Sequence, residues 1–177
     1  RKIPYSDMLD CEALRLLSKH IVTAVEDGHN LIARSAMLYG AMLAGQAFAN
    51  APVAAVHALA YPLGGHYHIS HGLSNSLVLP HVLRFNLPNA VQAYAELAHV
   101  VNPYARAKPV TLAEYFIEAM QTLISAVKIP TTLRQLNVPE TDLPMLAKDA
   151  LLQQRLLMNN PRLVTEADAL AIYQAAY

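Results

Sequence analysis

The segment His57–His81, HALAYPLGGHYHISHGLSNSLVLPH, is the stretch from which the fold of this chain is best predicted. It holds five of the eight histidines, whose side chains change charge near neutral pH without a perturbing environment. Apolar residues spaced by three and four positions surround these histidines, and this spacing predicts helices. Pro62, Gly64 and Gly65 interrupt the pattern, so we expect them to bend or end the first of these helices.

The rest of the chain also has the apolar periodicity of helices. It predicts helices over 6–26, 30–50, from 52 onward, 71–85, 88–101 and 111–127, and shorter ones over 131–136, 142–152 and 165–176. The many small residues of 30–50 predict a buried central helix, because they let neighbouring backbones approach closely. Thr111 with Glu114 fits a capping box, and Thr165 caps a further helix with an acidic first turn. The sequence has no alternating strand pattern, so the predicted fold class is all-α, a multi-helix bundle with a linker over 153–164.

Composition limits the classes of partner that this chain can have. Charged residues make up 15% of the 177 residues and hydrophobic residues 54%, which indicates either an extensive core or a face that packs on something outside the chain. The 13 basic and 13 acidic residues are scattered, and no apolar run reaches the length of a membrane span. We therefore expect no nucleic-acid partner and no membrane partner. The single cysteine, Cys11, excludes an intramolecular disulfide, and without a signal peptide we expect a cytoplasmic protein.

His57 and His71 are the candidate metal ligands. Neutral imidazoles are common ligands of zinc and ferrous iron, and an unbroken helix of fourteen residues would hold these two about 21 Å apart. A turn at Gly64 and Gly65, where positive φ is permitted, would let them converge on one ion. A catalytic site normally needs three protein ligands and a structural site four, so two histidines make half a site.

His66 and His68 leave a second interpretation open. They alternate with Tyr67, so from an extended segment both side chains would point the same way. They would then complete a local ligand set with His57 and His71. In that case the chain is a stand-alone helical metal-binding or scaffold domain.

The longer stretch VHALAYPLGGHYHISHGLSNSLVLPHVLRFN resembles the signature of the iron-containing (group III) alcohol dehydrogenases. That signature reads roughly His-x-x-x-His-Pro-Leu-Gly, a variable segment, Pro-His-Gly, and then Leu-Pro and Phe-Asn. The positions that match are His57, Pro62, Leu63, Gly64, His71, Gly72, Asn75, Leu79, Pro80, Phe85 and Asn86. Weaker family-like features follow in 129–151, in the Asn-Asn-Pro-Arg of 159–162 and in 165–177, so the resemblance covers nearly the whole chain.

The resemblance implies a two-domain enzyme of the dehydroquinate synthase-like fold, with an N-terminal α/β domain that binds NAD(P) and a C-terminal helical domain that holds a metal. Residues 1–177 correspond to the helical metal-binding domain, and the dinucleotide-binding domain is expected to be absent from this chain, which has no Gly-rich phosphate loop. The implied metal is Fe(II) or Zn(II). Its implied ligands are His57, His71 and an Asp-x-x-x-His pair, which this chain lacks and which is expected upstream of Arg1.

Two positions depart from the family pattern. Tyr61 stands where the family has a second histidine, near the nicotinamide, that helps to relay a proton. A tyrosine, with a reference pKa near ~10, is a poorer shuttle at neutral pH, so His66 or His68 are the expected substitutes. The resemblance thus implies Tyr61, His66 and His68 as catalytic residues, and Tyr61 and Gly65 as cofactor-binding residues. Ser70 replaces the usual proline before His71, which should loosen the turn.

The activity implied by the resemblance is metal- and NAD(P)-dependent oxidoreduction of a small-molecule alcohol or aldehyde by hydride transfer. The expected partners are the chain's own missing N-terminal domain and further copies in a homo-oligomer. Alone, the helical half is expected to be inactive. A maleylacetate reductase or another oxidoreductase of the same superfamily is the alternative.

Overall fold

A computed structural model of the chain describes residues 3–177 as a set of helices. They are α1 Pro4–Glu26, α2 Leu31–Phe48, α3 Ala55–Tyr67, α4 His71–Val101, α5 Pro109–Ala126, α6 Leu143–Leu151, α7 Gln154–Leu157 and α8 Glu166–Ala175, with 3₁₀ turns at Arg134–Leu136 and Glu140–Asp142. Residues 3–177 contain no strand, so the predicted all-α class is confirmed. None of the helices in this range is both long enough and apolar enough to cross a lipid bilayer.

The chain divides into two compact units. Unit 1 consists of the described part of Arg1–Pro52 together with Val91–Val127, and unit 2 consists of Val53–Ala90 and Lys128–Tyr177. The boundary at residues 90 and 91 falls inside α4, so this helix contributes to both units.

Unit 1 is built on the packing of α1 against α2. Leu9 and Ala13 of α1 meet Leu43 and Ala47 of α2 in a small core. A Cβ atom added at Gly40 would lie 2.9 Å from a side-chain carbon of Leu17, so glycine is needed at this close approach.

The prediction that α2 is a buried central helix is wrong for the structure described. The exposed fractions of Leu31, Ile32 and Leu38 are 75%, 78% and 76%. Ala33 and Gly40, seven positions apart on one face, are both buried, and Gly40 lies against Leu16 and Leu17 of α1. Leu31, Ile32 and Leu38 lie away from this face and are exposed.

Unit 2 contains the larger core, and the last helix, α8, packs against it. Leucine and valine side chains of α3 and α4 pack on α6 and α8; the main members are Leu59, Leu63, Leu77, Val78, Val82, Leu143, Leu146, Ile172 and Tyr173. The hydroxyl of Tyr173 donates a hydrogen bond of 2.6 Å to the carbonyl of Leu59. Such burial of a tyrosine with its hydroxyl bonded fixes α8 against α3.

The first helix does not end at Pro62, Gly64 or Gly65. Helix α3 runs through all three residues to Tyr67. Burial of Leu59 and Leu63 on the core of unit 2 outweighs the local helix-breaking preference of this segment. The left-handed residue that ends α3 is His68, with φ 55° and ψ 24°, and its N–H donates to the carbonyl of Gly64. No glycine in the described chain has a positive φ.

Helix α4 is also longer than predicted. It continues through Pro80 and Pro88 to Val101 as one helix of 31 residues, so the predicted break between 85 and 88 is wrong. The apolar pattern carries on past both prolines, and tertiary packing again overrides the local preference.

The predictions for the helix ends were mixed. Helix α5 begins at Pro109, with Lys108 as its N-cap and no side-chain cap, so the predicted capping box of Thr111 is wrong. Thr165 and Asp168 do form the capping box of α8. The segment 153–164, expected as a linker, contains the short α7.

Candidate metal centre

The two candidate metal ligands lie together in unit 2. His57 is in the first turn of α3, and His71 is the first residue of α4, after a turn of three residues. The centroids of the two imidazole rings are 5.1 Å apart and their planes are inclined by 52°. The turn thus brings together two side chains that a straight helix would separate by about 21 Å.

The environment of His57 favours its neutral form. Burial lowers the pKa of this half-buried imidazole below its usual range, and Coulombic repulsion from His71 lowers it further. A neutral imidazole offers the lone pair that a metal ion requires.

Asn75 lies one helical turn after His71 and contacts its ring. The side-chain nitrogen Nδ2 of Asn75 is 3.0 Å from Nε2 of His71. The other end of the amide, Oδ1, is buried and has no hydrogen-bond partner within residues 3–177. The ring of His71 is therefore held from its own helix.

Tyr61 and Gly65 lie on the same side of α3 as His57. Tyr61 follows His57 by one turn, and the centroid of its ring is 6.1 Å from that of His71. Its exposed fraction is 43%, so the residue is accessible to solvent. A Cβ atom at Gly65 would meet no described atom within 4 Å, so packing inside the chain does not require glycine there.

His66 is placed on the other side of α3. It follows His57 by nine residues, which is a rotation of about 180° in a helix. Its Nε2 is 2.6 Å from Oδ2 of Asp149, on α6. The predicted extended segment, from which His66 and His68 would point the same way, is wrong because His66 is helical and His68 is the left-handed residue that ends α3.

Two aspartates that the sequence did not single out hold the end of α3. Besides the pair of His66 and Asp149, the hydroxyl of Tyr67 donates a hydrogen bond of 2.6 Å to Asp142. Burial, this hydrogen bond and the charge of Asp142 raise the pKa of Tyr67 to about 12. Both aspartates follow their partners by 75 residues or more, so no local motif indicates them. The family-like segment 129–151, which contains both, is the one signal in the sequence.

The middle of α4 is held by the Asn-Asn-Pro-Arg segment. The side chains of Asn86 and Asn160 exchange two hydrogen bonds, of 2.9 and 2.7 Å. The guanidinium of Arg162 lies 4.1 Å from the centroid of the Phe85 ring and donates to the carbonyl of Phe85. These contacts join residues of the signature to a segment more than 70 residues later, and their role here is to fix α4.

His57 and His71 fit half of a metal site. The two rings converge, and the pKa shift of His57 favours the neutral form. Within residues 3–177, however, no group of three or more histidine, cysteine, aspartate or glutamate side chains is placed to hold an ion. A catalytic metal needs at least one further protein ligand, which these residues do not supply.

The chain is similar to one family of known proteins over its whole length. The model of the "Fe-containing alcohol dehydrogenase family, C-terminal" matches residues 1–177. Long-chain-alcohol dehydrogenase 1 of Geobacillus thermodenitrificans is 41% identical over 175 residues, which is 98% of this chain and 44% of that protein. The 1,3-propanediol dehydrogenase of Klebsiella pneumoniae is 37% identical over 98% of this chain and 45% of its own length. The crystal structure of a 1,3-propanediol oxidoreductase superposes with a TM-score of 0.93 at 38% identity, over 99% of this chain and 46% of that one. The chain thus spans about half the length of the relatives it matches.

Proposed function

The chain belongs to the Fe-containing alcohol dehydrogenase family, and we propose that it is the helical half of a metal- and NAD(P)-dependent alcohol dehydrogenase. The observation that carries this proposal is the pair of converging imidazoles, His57 and His71, inside the family signature. The match to about half of each relative supports a partner domain outside this chain, to which we assign NAD(P) binding.

In the proposed enzyme, His57 and His71 provide two ligands of the metal, and the others come from outside residues 3–177. The family name favours Fe(II) over the alternative Zn(II). When bound, the metal supplies Lewis-acid polarisation of the substrate oxygen and the nicotinamide supplies or accepts the hydride. The contribution of this chain is to keep the centroids of the two imidazole rings 5.1 Å apart, on two helices that the core of unit 2 holds in place.

We assign the proton transfer first to Tyr61. Its ring lies beside His71 on the face of α3 that also carries His57, and its hydroxyl can both donate and accept a hydrogen bond. His66 and His68 are the alternatives; His66 is engaged with Asp149 on the opposite side of α3. Gly65, on the Tyr61 side of α3, is the proposed point of close approach for the cofactor.

The proposed substrate is a small-molecule alcohol or aldehyde. The relatives named above include a long-chain-alcohol dehydrogenase and a 1,3-propanediol dehydrogenase, so they do not indicate the chain length of the substrate. We further propose that the intact enzyme is a homo-oligomer and that this helical half is inactive alone.

The proposal can be tested with a chimera in which the N-terminal part of the Geobacillus thermodenitrificans relative precedes this chain. We expect the Fe(II)-loaded chimera to oxidise alcohols with NAD(P)+, and the chain alone to be inactive. His57→Ala or His71→Ala should lower the activity and the iron content of the chimera by more than about 100-fold, since even outer-shell mutations of metal sites cost 10–100-fold.

The control for these variants is His99→Ala, an exposed histidine of α4 that lies outside the signature. It should leave iron content and activity unchanged. An inactive wild-type chimera that folds and binds iron would contradict the proposal. If the isolated chain bound one ion tightly and lost it on His66→Ala but not on His57→Ala, the chain would instead be a stand-alone helical metal-binding domain.

A further inference from the structure

The contact between Asn75 and His71 admits two arrangements. A neutral imidazole has one nitrogen that donates and one that accepts, whereas an asparagine amide has an NH₂ group that donates and an oxygen that accepts. With Nδ2 of Asn75 facing Nε2 of His71, as in the structure, the amide donates and Nε2 must carry the lone pair. With the amide reversed, Nε2 would carry the proton and donate it to the oxygen.

The buried end of the amide distinguishes the two arrangements. In the structure this end is Oδ1, which has no partner within residues 3–177. Reversal would place an NH₂ group, with two donors, in the same buried position. Unpaired buried N–H groups are rarer in proteins than under-satisfied carbonyl oxygens, so the observed arrangement is the favoured one.

We propose that Asn75 is a positioning residue for His71, which fixes the neutral ring in the tautomer with the proton on Nδ1 and the lone pair on Nε2. The proposal rests on the proposed function in that it takes His71 as a metal ligand. The nitrogen that binds a metal is set by the hydrogen bond that the ring makes, and only an unprotonated nitrogen can bind. Asn75 thereby presents Nε2 as the nitrogen that would bind an ion and holds the ring of His71 with its centroid 5.1 Å from that of His57.

The position of Asn75 suits this role. It is four residues after His71 on a continuous helix, where side chains i and i+4 are neighbours, so the contact needs no long-range element to form. Ser74, the preceding residue, is buried, and Leu77 and Val78 pack in the core of unit 2, which fixes this part of α4. The amide is therefore attached to a rigid part of the fold.

The test is to read the tautomer of His71 directly, by long-range proton–nitrogen NMR of the metal-free chain with labelled histidine, at alkaline pH where the imidazoles are neutral. His71→Ala identifies the His71 signals. In the wild type we expect the Nε2 signal of His71 at the downfield nitrogen chemical shift that is typical of an unprotonated ring nitrogen. In Asn75→Ala we expect most of the neutral His71 rings to change to the tautomer with the proton on Nε2, which free histidine side chains favour. Asn75→Asp can only accept, so it should give the Nε2–H form outright.

Asn89→Ala is the matched control, an asparagine of the same helix whose amide donates to the carbonyl of Pro161. It should leave the signals of His71 unchanged. A wild-type chain with His71 in the Nε2–H form, or an unchanged tautomer in a folded Asn75→Ala, would overturn the proposal. The wild-type spectrum alone tests the proposed tautomer of His71, even where a variant does not fold. Because the chain is metal-free in this experiment, its outcome is independent of iron binding by the chimera.

Discussion

His68 carries the backbone strain of the turn between the two candidate ligands. Its left-handed conformation, φ 55°, costs a residue with a Cβ atom roughly 1–2 kcal/mol, and it is neither glycine nor asparagine. Gly64 and Gly65, which have no such cost, lie inside α3 instead. The sequence therefore indicated a turn but assigned it to the wrong residues, because the end of α3 is set by packing and by the side-chain contacts of His66 and Tyr67.

Tyr67 provides a prediction about stability and pH. Its pKa is raised from 10.0 to about 12 in the folded chain, so between these values the unfolded chain loses the hydroxyl proton first. The stabilisation by the hydrogen bond to Asp142 is complete below pH 10 and is lost as the pH rises towards 12. We expect Tyr67→Phe to lower the free energy of unfolding by about 1 kcal/mol at neutral pH and to flatten its decline above pH 10, as measured by urea unfolding across a pH series.

The control for this prediction is Tyr104→Phe. Tyr104 is 87% exposed, so its hydroxyl meets water in both the folded and the unfolded chain. The same decline with pH in Tyr67→Phe and in the wild type would show that the hydrogen bond to Asp142 does not stabilise the fold.

At the scale of elements, α4 contains a proline where helices rarely tolerate one. Pro88 is exposed in the interior of this helix and cannot donate an N–H to the carbonyl one turn earlier. Alanine would restore that donor and remove the clash of the ring. We expect Pro88→Ala to raise the free energy of unfolding by about 1–3 kcal/mol, measured by urea unfolding.

Pro109 is the matched control, because it occupies the first position of α5, where proline is favourable. Pro109→Ala should give no gain. Removal of a proline adds entropy to the unfolded chain and so lowers stability at either position. An equal gain from both substitutions, or no gain from Pro88→Ala, would contradict the prediction that the helix-interior position of Pro88 destabilises the fold.

The elements that the sequence predicted well are those in which local and tertiary preferences agree. Helix α1 has a clear apolar period, and α8 has both the period and the Thr165 capping box. The errors at Pro62 and Pro88 share one cause: a proline indicates a break locally, while buried apolar residues lie in the helix on both sides of it. That packing depends on residues far along the chain and is not visible in a short window.

The candidate site shows the same division between local and long-range information. The pair His57 and His71 was predictable because the spacing and the family signature both lie within one short segment. The partners Asp142 and Asp149 were not, since they lie in a 3₁₀ turn and in α6, more than 70 residues later. A signature thus identifies the residues that carry the chemistry more readily than those that hold them in place.

At the scale of the whole molecule, the low content of charged residues corresponds to an exposed apolar surface on unit 1. The outer face of α2, made of Leu31, Ile32, Leu38, Tyr39, Met42 and Phe48, has exposed fractions from 47% to 78%. Contiguous apolar surface of this kind promotes association. We expect the isolated chain to self-associate, and Leu31→Lys combined with Leu38→Lys to raise the concentration at which it stays monomeric, as measured by sedimentation velocity.

Leu152→Lys combined with Leu163→Lys is the control, since these leucines of unit 2 are 74% and 83% exposed but are not part of the outer face of α2. It should leave association unchanged. A wild-type chain that is monomeric at high concentration would contradict the prediction, as would equal association of the two double variants.

The bond from Tyr173 to Leu59 also has a consequence for biosynthesis. The two residues are 114 positions apart, so α3 leaves the ribosome long before the helix that covers it. Synthesis proceeds at about 5–20 residues per second, so α3 and α4, which carry the imidazoles, remain without their final partner for several seconds. During that interval their apolar faces are open to chaperones and to neighbouring nascent chains. Helix α3, which carries His57, can therefore reach its final packing only after translation of α8, whatever the supply of metal.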